Sequence, residues 1–298
     1  MRILVASHTY IVDLNCEKLR SLTQIDPHVE VTAVVPRHWT PGGVQSKKIE
    51  SQPKTEGRFR VVPVSNFSQN NQGLLSFGTD IVSLLREFRP DIIQVEQGSK
   101  SVGYAELITL NRLLRLKAKN VFFTWWNLPY DVKFPISLLE GYNLRHTDGL
   151  IVGNQDGADV LQDHGYDGPT CVMPQLGVDE RLFKPADQPE LRAQHKLEPA
   201  DFVVGFVGRF VEEKGLLTLF KALGQLQTDK PWKLMLLGRG PLKETLQQLA
   251  ADLKIDQRIL WIESVPHADV PRYINVMDTL VLPSETTYQF KTLSAAGW

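Results

Sequence analysis

The feature that most constrains this chain is an unbroken apolar run, Ile3-Leu4-Val5-Ala6, close to its start. A strand with one face in water alternates apolar and polar residues. A run without alternation needs cover on both faces, as in a parallel sheet sandwiched by helices. Val29 to Val35, Phe59 to Val64, Asp91 to Val95, Asn120 to Thr124 and Gly149 to Val152 read as further strands. Between them, Asn15 to Ile25, Asp80 to Phe88 and Ala105 to Ala118 read as helices, the second stopped by Arg89-Pro90. Residues 36 to 57, rich in Gly, Pro, Ser and Lys, read as a polar loop. Strands alternating with helices predict a doubly wound α/β domain.

The texture changes near residue 184. Lys184-Pro185-Ala186-Asp187-Gln188-Pro189 sets prolines among polar residues, as a joint between domains would. The alternation then restarts. Strands are expected at Phe202 to Val207, Lys233 to Leu237, Ile259 to Ile262 and Thr279 to Leu282. Helices are expected at Gly215 to Leu226, Leu242 to Leu253 and Val270 to Val276. A chain of 298 residues predicts about two domains. The division expected is 1–184 and 185–298, two Rossmann-like doubly wound halves, the second incomplete.

Composition excludes several classes. Hydrophobic residues make up 42% and charged residues 22%, as in an ordinary globular protein, and the formal net charge is −1. A near-neutral chain has no overall electrostatic case for nucleic acid. Cys16 and Cys171 are too few for a disulfide framework, so a reducing cytoplasm is the default compartment. The opening run is too short for a signal peptide, and no stretch approaches about 18 apolar residues. Peripheral contact is then the membrane role left open.

Absent motifs narrow the chemistry. There is no Gly-x-x-x-x-Gly-Lys-Ser/Thr phosphate loop. Gly238-Arg239-Gly240-Pro241-Leu242-Lys243 opens like a dinucleotide fingerprint, but Lys243 stands where the third glycine belongs. No Asp-x-Asp pair and no His-Glu-x-x-His occurs, so neither a metal site nor a cofactor is expected.

The informative segment is Val207-Gly208-Arg209-Phe210-Val211-Glu212-Glu213-Lys214-Gly215. Gly208 ends a strand, and Arg209 and Lys214 bracket the loop into the next helix. Loops at the carboxyl ends of parallel strands form the ligand crevice of such sheets. Two cations and a helix N-terminus there suit a phosphate or diphosphate. The alternative is a solvated loop whose cations are neutralised by Glu212 and Glu213. Gly238 and Gly240 follow the next strand, where glycine allows close backbone approach to a ligand or simply a tight turn.

Gly208-Arg209 with Lys214-Gly215, then Leu237-Gly238-x-Gly240-Pro241, then Leu282-Pro283-Ser284, resembles the retaining glycosyltransferases of family four, which have the GT-B fold. Gly177-Val178-Asp179 followed by Phe183-Lys184-Pro185 is similar to the interdomain signature of that family. The resemblance is strongest from 149 to 284 and implies two Rossmann-like domains facing a cleft. It implies transfer of a hexose, with retention, from a nucleoside-diphosphate sugar to a lipid or polysaccharide acceptor. By that resemblance Gly208, Arg209 and Lys214 grip the donor diphosphate, and Gly238, Gly240, Glu263 and Val265 lie at the nucleotide. Ser7, His8, Trp126 and Asn127 are the cleft and acceptor candidates, with no catalytic residue assigned.

Two departures stand out. Thr124-Trp125-Trp126-Asn127 replaces the family's Thr-x-His-Asp, so Trp126 stands where a His would be, as a sugar-stacking surface or as packing. Glu285 follows Pro283-Ser284, but the eighth position after it is Leu293, and no glutamate occurs from 286 to 298. The family's glutamate pair is therefore incomplete, and the chain is expected to be truncated. A non-catalytic nucleotide-binding remnant is the alternative; a dinucleotide-dependent oxidoreductase is disfavoured by the broken fingerprint.

Overall fold

The computed structural model describes residues 1–40, 48–174 and 177–285. They divide into two compact units, Met1–Gly177 and a second beginning at Val178. This division falls before the 184/185 boundary expected from the prolines. The reason is local: the Asn275 amide donates to the Lys184 carbonyl at 2.9 Å, and Phe183 lies edge-on to His267, so the proline segment packs with the second unit.

The first unit contains β1 (Arg2–Ala6), α1 (Glu17–Ile25), β2 (Glu30–Pro36), β3 (His38–Trp39), β4 (Ile49–Glu50), β5 (Lys54–Glu56) and β6 (Phe59–Val64). Then follow α2 (Asp80–Phe88), β7 (Ile92–Val95), α3 (Val102–Leu113), β8 (Lys119–Thr124), α4 (Ile136–Arg145), β9 (Gly149–Val152), α5 (Gln155–Asp163) and β10 (Thr170–Val172). Its main sheet has the order β10-β9-β8-β7-β1-β2-β6-β5. Every pairing in it is parallel except β5 with β6. The order reverses direction between β1 and β7, which makes the carboxyl ends of those two strands the crevice of the sheet.

The unbroken apolar run of β1 is explained by what covers it. Leu4 and Ala6 belong to a core built from α2, α3 and their neighbours. Ile3 and Val5 belong to a separate core with Leu19 of α1. Successive strand residues point to opposite faces, so both sets are buried together. The segment 36–57 departs from the expected loop: β3 and β4 pair with each other, and β5 adds an antiparallel edge. An edge strand needs no apolar face, so Lys54-Thr55-Glu56 carries no apolar signal of its own.

The second unit contains α6 (Pro189–Gln194), β11 (Phe202–Val207), α7 (Leu216–Gly224), β12 (Trp232–Leu237), α8 (Lys243–Asp252), β13 (Ile259–Ile262), α9 (Val270–Ile274) and β14 (Thr279–Leu280). Its parallel sheet has the order β13-β12-β11-β14, with the reversal between β11 and β14. Phe206, Leu234 and Leu236 enter one core with α7 and α8, while Val203 and Met235 enter another with Leu191 and Val276. Among the described residues no helix is long and apolar enough to cross a membrane.

Leu4 and Leu234 are both fully buried, one in each unit. Leu4→Ala and Leu234→Ala are each expected to destabilise the chain by about 2–5 kcal/mol through lost burial and an unfilled cavity. Urea unfolding midpoints check this, and a change below about 1 kcal/mol at either site would contradict the two-sided core.

Candidate functional site

In the second unit the loops leaving β11, β12 and β13 emerge at one edge of the sheet. Gly208 still donates to the Leu237 carbonyl at 3.0 Å, and Gly238 to the Ile262 carbonyl at 2.8 Å, so the loops begin in register. The first two are then zipped together: Phe210 N–H donates to Arg239 O at 3.0 Å, and Leu242 N–H to Phe210 O at 3.1 Å. A Cβ on Gly238, whose φ is +152°, would lie 1.8 Å from the Gly208 carbonyl oxygen. A Cβ on Gly240 would lie 2.4 Å from the Phe210 carbonyl oxygen. Both glycines are thus required by contact between the loops themselves.

The Arg209-to-Lys214 loop ends in a 3-10 turn, Glu212–Lys214, before α7. Arg209 is 61% exposed and pairs with Glu213 at 3.6 Å, so half of the neutralised-loop alternative is realised. Among the described residues the half-buried Lys214 has no ion-pair partner. Gly215, at φ +64°, is fixed by a close approach from beyond β14: an added Cβ would meet the Pro283 carbonyl oxygen at 1.8 Å. Glu285 continues that contact, with its N–H on Glu213 O at 3.0 Å and its carboxylate accepting from the Thr218 hydroxyl in the first turn of α7. The remainder of the expected glutamate pattern, after residue 285, lies outside the described residues.

Glu263, just past β13, is exposed and ion-paired with Lys243. That hydrogen bond and charge, with Arg239 adding a little, hold its carboxyl below the ordinary carboxylate value. Val265 is half-buried on the same loop. Gly208, Arg209, Lys214, Gly238, Gly240, Glu263 and Val265 therefore all occupy the carboxyl edge of one sheet.

In the first unit the candidates separate. Ser7 is fully buried; its hydroxyl accepts from Thr9 N–H at 3.2 Å and lies 3.3 Å from the Glu96 carbonyl, capping the turn His8–Ile11. Its oxygen also lies 2.9 Å from the Thr9 hydroxyl, so the side chain is engaged within its own turn. His8 stacks on Trp39 with ring centroids 4.8 Å apart, and burial pushes its imidazole down from 6.5 to about 4. Trp126 is half-buried, its indole N–H donating to Leu128 O at 2.5 Å and its ring edge-on to Tyr130 at 6.2 Å. Packing thus claims one edge of the ring. Asn127 is exposed.

Two buried carboxylates escaped the sequence reading. Glu96, directly after β7, accepts from the Tyr10 hydroxyl at 2.6 Å and pairs with Lys18 at 3.0 Å. Burial pushes the Lys18 ammonium down, and Glu96 opposes that shift. Glu140 of α4 accepts from the Ser99 and Tyr130 hydroxyls, each at 2.6 Å, and lies 3.0 Å from His164 Nδ1. The only local signal was Glu96 itself, a carboxylate abutting an apolar strand at a carboxyl end. Among the described residues no group of three or more His, Cys, Asp or Glu side chains could hold a metal ion.

Two outcomes follow from this geometry. Gly238→Ala is expected to cost roughly 1–3 kcal/mol by prising the loops apart, whereas Gly141→Ala, with open space around it inside α4, should be neutral or stabilising. Equal effects of the two changes on thermal stability would contradict the contact. His8 sets a pH dependence. Its folded pKa lies below the unfolded one, so the unfolded chain takes up a proton that the folded chain refuses. Stability is full above about pH 6.5 and is lost as pH falls toward 4. His8→Gln should remove about 1–3 kcal/mol of that decline, read as the difference between the two chains' unfolding curves at pH 7 and pH 4.5.

Residues 187–290 match the family model described as glycosyl transferases group 1. An uncharacterized glycosyltransferase of Methanocaldococcus jannaschii is 24% identical over 189 residues, 60% of this chain and 47% of that protein. A GDP-mannose-dependent alpha-(1-6)-phosphatidylinositol monomannoside mannosyltransferase of Mycolicibacterium smegmatis is 30% identical over 123 residues, 40% of this chain and 32% of that protein. The chain thus spans about half or less of these curated relatives. The fold resembles that of HepE from Anabaena in complex with UDP-glucose, with a TM-score of 0.62 at 16% identity, covering 95% of this chain and 74% of that one. The likeness to the group 1 glycosyl transferases is therefore carried by the second unit, which holds the whole of the matched segment.

Proposed function

We propose that this chain serves a glycosyltransferase that moves a hexose, with retention, from a nucleoside-diphosphate sugar to a carbohydrate or lipid acceptor. The observation that carries the reading is the placement of Arg209 and Lys214, within the family-matched segment, at the strand reversal between β11 and β14. Ligands of open parallel sheets bind at that kind of reversal. The relatives support the donor class, one by its dependence on GDP-mannose and one by its complex with UDP-glucose.

Breaking a glycosyl–phosphate bond develops negative charge on the departing diphosphate, and fixed cations aimed at it lower the barrier. Lys214 brings a charge that no carboxylate among the described residues neutralises. Arg209 must leave Glu213, but an exposed pair of that kind contributes only about 0–1 kcal/mol. A charge-assisted hydrogen bond to phosphate contributes roughly 1.5–3 kcal/mol, so the diphosphate wins the guanidinium. The loop backbones at Gly208, Gly238 and Gly240 would flank the nucleotide, with Glu263 and Val265 beyond them. The departing phosphate serves as the base that deprotonates the acceptor hydroxyl, so retention needs no side-chain nucleophile. Ser7, His8, Trp126 and Asn127 are the acceptor-side candidates of this proposal, Ser7 by shaping the turn that carries His8.

Calorimetric titration with UDP and GDP tests the assignment. Arg209→Ala and Lys214→Ala should each weaken nucleotide binding by roughly 1.5–3 kcal/mol. Affinity unchanged in both variants would sink it. Binding should also survive excess chelator, since the cations replace a metal in this scheme. A tenfold loss restored by magnesium or manganese, about 1.4 kcal/mol, would reveal a metal in the site.

A further inference from the structure

At the amino-terminal edge of the first sheet, away from its carboxyl-end loops, lies a groove of about 600 Å³. It opens where α3 and α4 end and where β8 and β9 begin. Its floor is rigid. Asn111 and Asn120 are both buried and bonded to each other at 2.9 Å, and the Asn111 amide also bonds the Ala118 backbone on both sides, at 2.8 and 3.2 Å.

The rim carries five cations, Arg112, Arg115, Lys117, Lys119 and Arg145, against a single carboxylate, Asp148. Asp148 is taken by Lys119 at 2.8 Å. Arg112 lies 2.8 Å from His146 Nε2 rather than against a carboxylate, so no anion compensates its charge. Among the described residues Arg115, Lys117 and Arg145 have no ion-pair partner. The bland explanation is that these cations complement the negative ends of α3 and α4. Each helix end supplies only about half a charge, so the two together offset about one of the five cations. The excess leaves the rim of the groove electropositive.

The backbone adds a second observation. Arg115 and Lys117 both sit in the left-handed region, at φ +53° and +62°. Glycine or asparagine fits there without strain. Arg89, Lys196 and Lys254 adopt the same conformation elsewhere in the chain, so what distinguishes Arg115 and Lys117 is that both stand on the rim of one groove.

We propose that this groove binds a free small molecule bearing two or more phosphate groups. The unpaired guanidinium groups offer planar forks suited to phosphate oxygens, and Lys117 adds a point charge. Several cations around one concave, rigid-floored site suit clustered phosphates better than a single one. The site is independent of the nucleotide loops, which lie in the other unit.

Inorganic pyrophosphate is the probe, titrated by calorimetry into the full chain carrying Arg209→Ala and Lys214→Ala, so that the proposed donor loop does not contribute. Binding should persist in that background. It should then weaken about ten- to hundredfold when Arg115→Gly and Lys117→Gly are added, and again with Arg145→Gln. The glycine substitutions suit the left-handed backbone, so the thermal midpoint should hold, separating lost binding from lost folding. No pyrophosphate binding, or binding indifferent to these three changes, overturns the proposal. In a second arm, phosphatidylcholine vesicles with and without phosphatidic acid are sedimented with the chain. Vesicle binding that needs phosphatidic acid and the same cations, without pyrophosphate binding, assigns the groove to lipid headgroups and likewise overturns the free ligand.

Discussion

A parallel strand covered on both faces has no room for a charged side chain along its length, so chemistry is displaced to the loops beyond its end. That constraint organises both units. In β1 the two faces are filled by Leu4 with Ala6 and by Ile3 with Val5, and polar character resumes at Ser7 and His8. In β11 Val204 and Phe206 fill one face, Val203 the other, and the chain turns polar at Arg209. Because all strands of the second sheet run the same way, their polar ends collect at one edge, and glycine, arginine, lysine and glutamate from distant parts of the sequence become neighbours.

This same constraint decides what could be read before folding. Apolar-rich segments mark buried strands, so β1, β2, β11 and β12 were legible to within one residue at each end. The Arg209–Lys214 loop was legible because it directly follows such a run. The reason for Gly238 and Gly240 was not. Their close neighbours are backbone atoms of another loop, Gly208 and Phe210, and that juxtaposition exists only once β11 and β12 pair. Ser7 looked ligand-facing for the converse reason: its position at a strand end was visible, but its capping of the next turn was not. Tyr10 and Lys18, which bond Glu96, and Ser99, which bonds Glu140, stand tens of residues away in the chain, where no spacing rule reaches. The edge strand β5 has no apolar face to announce it.

The two units use charge differently. The first keeps the Lys18–Glu96 pair largely out of water, with Tyr10 and Gln94 also bonding the carboxylate. Such a pair adds little net stability, but removing one partner alone costs about 3–5 kcal/mol, so it fixes geometry at the end of β7. The second unit leaves Arg209 and Glu263 in solvent, in pairs that are cheap to exchange. Charges that hold a shape are buried; charges free to change partners stay at the surface.

The close seat of Pro283 against Gly215 has a further consequence. A loop that must wrap a ligand from a floppy state loses conformational freedom when it binds, at about 0.5–1.5 kcal/mol for each side chain it immobilises. Here Glu285 bonds the Glu213 carbonyl and the Thr218 hydroxyl from behind, while Phe210 is tied to Arg239 from the side. In the proposed diphosphate site that ordering is met when the domain folds. Drift in the Pro283–Glu285 segment would then be felt as a weaker grip at Lys214, with Arg209 and Lys214 themselves unchanged.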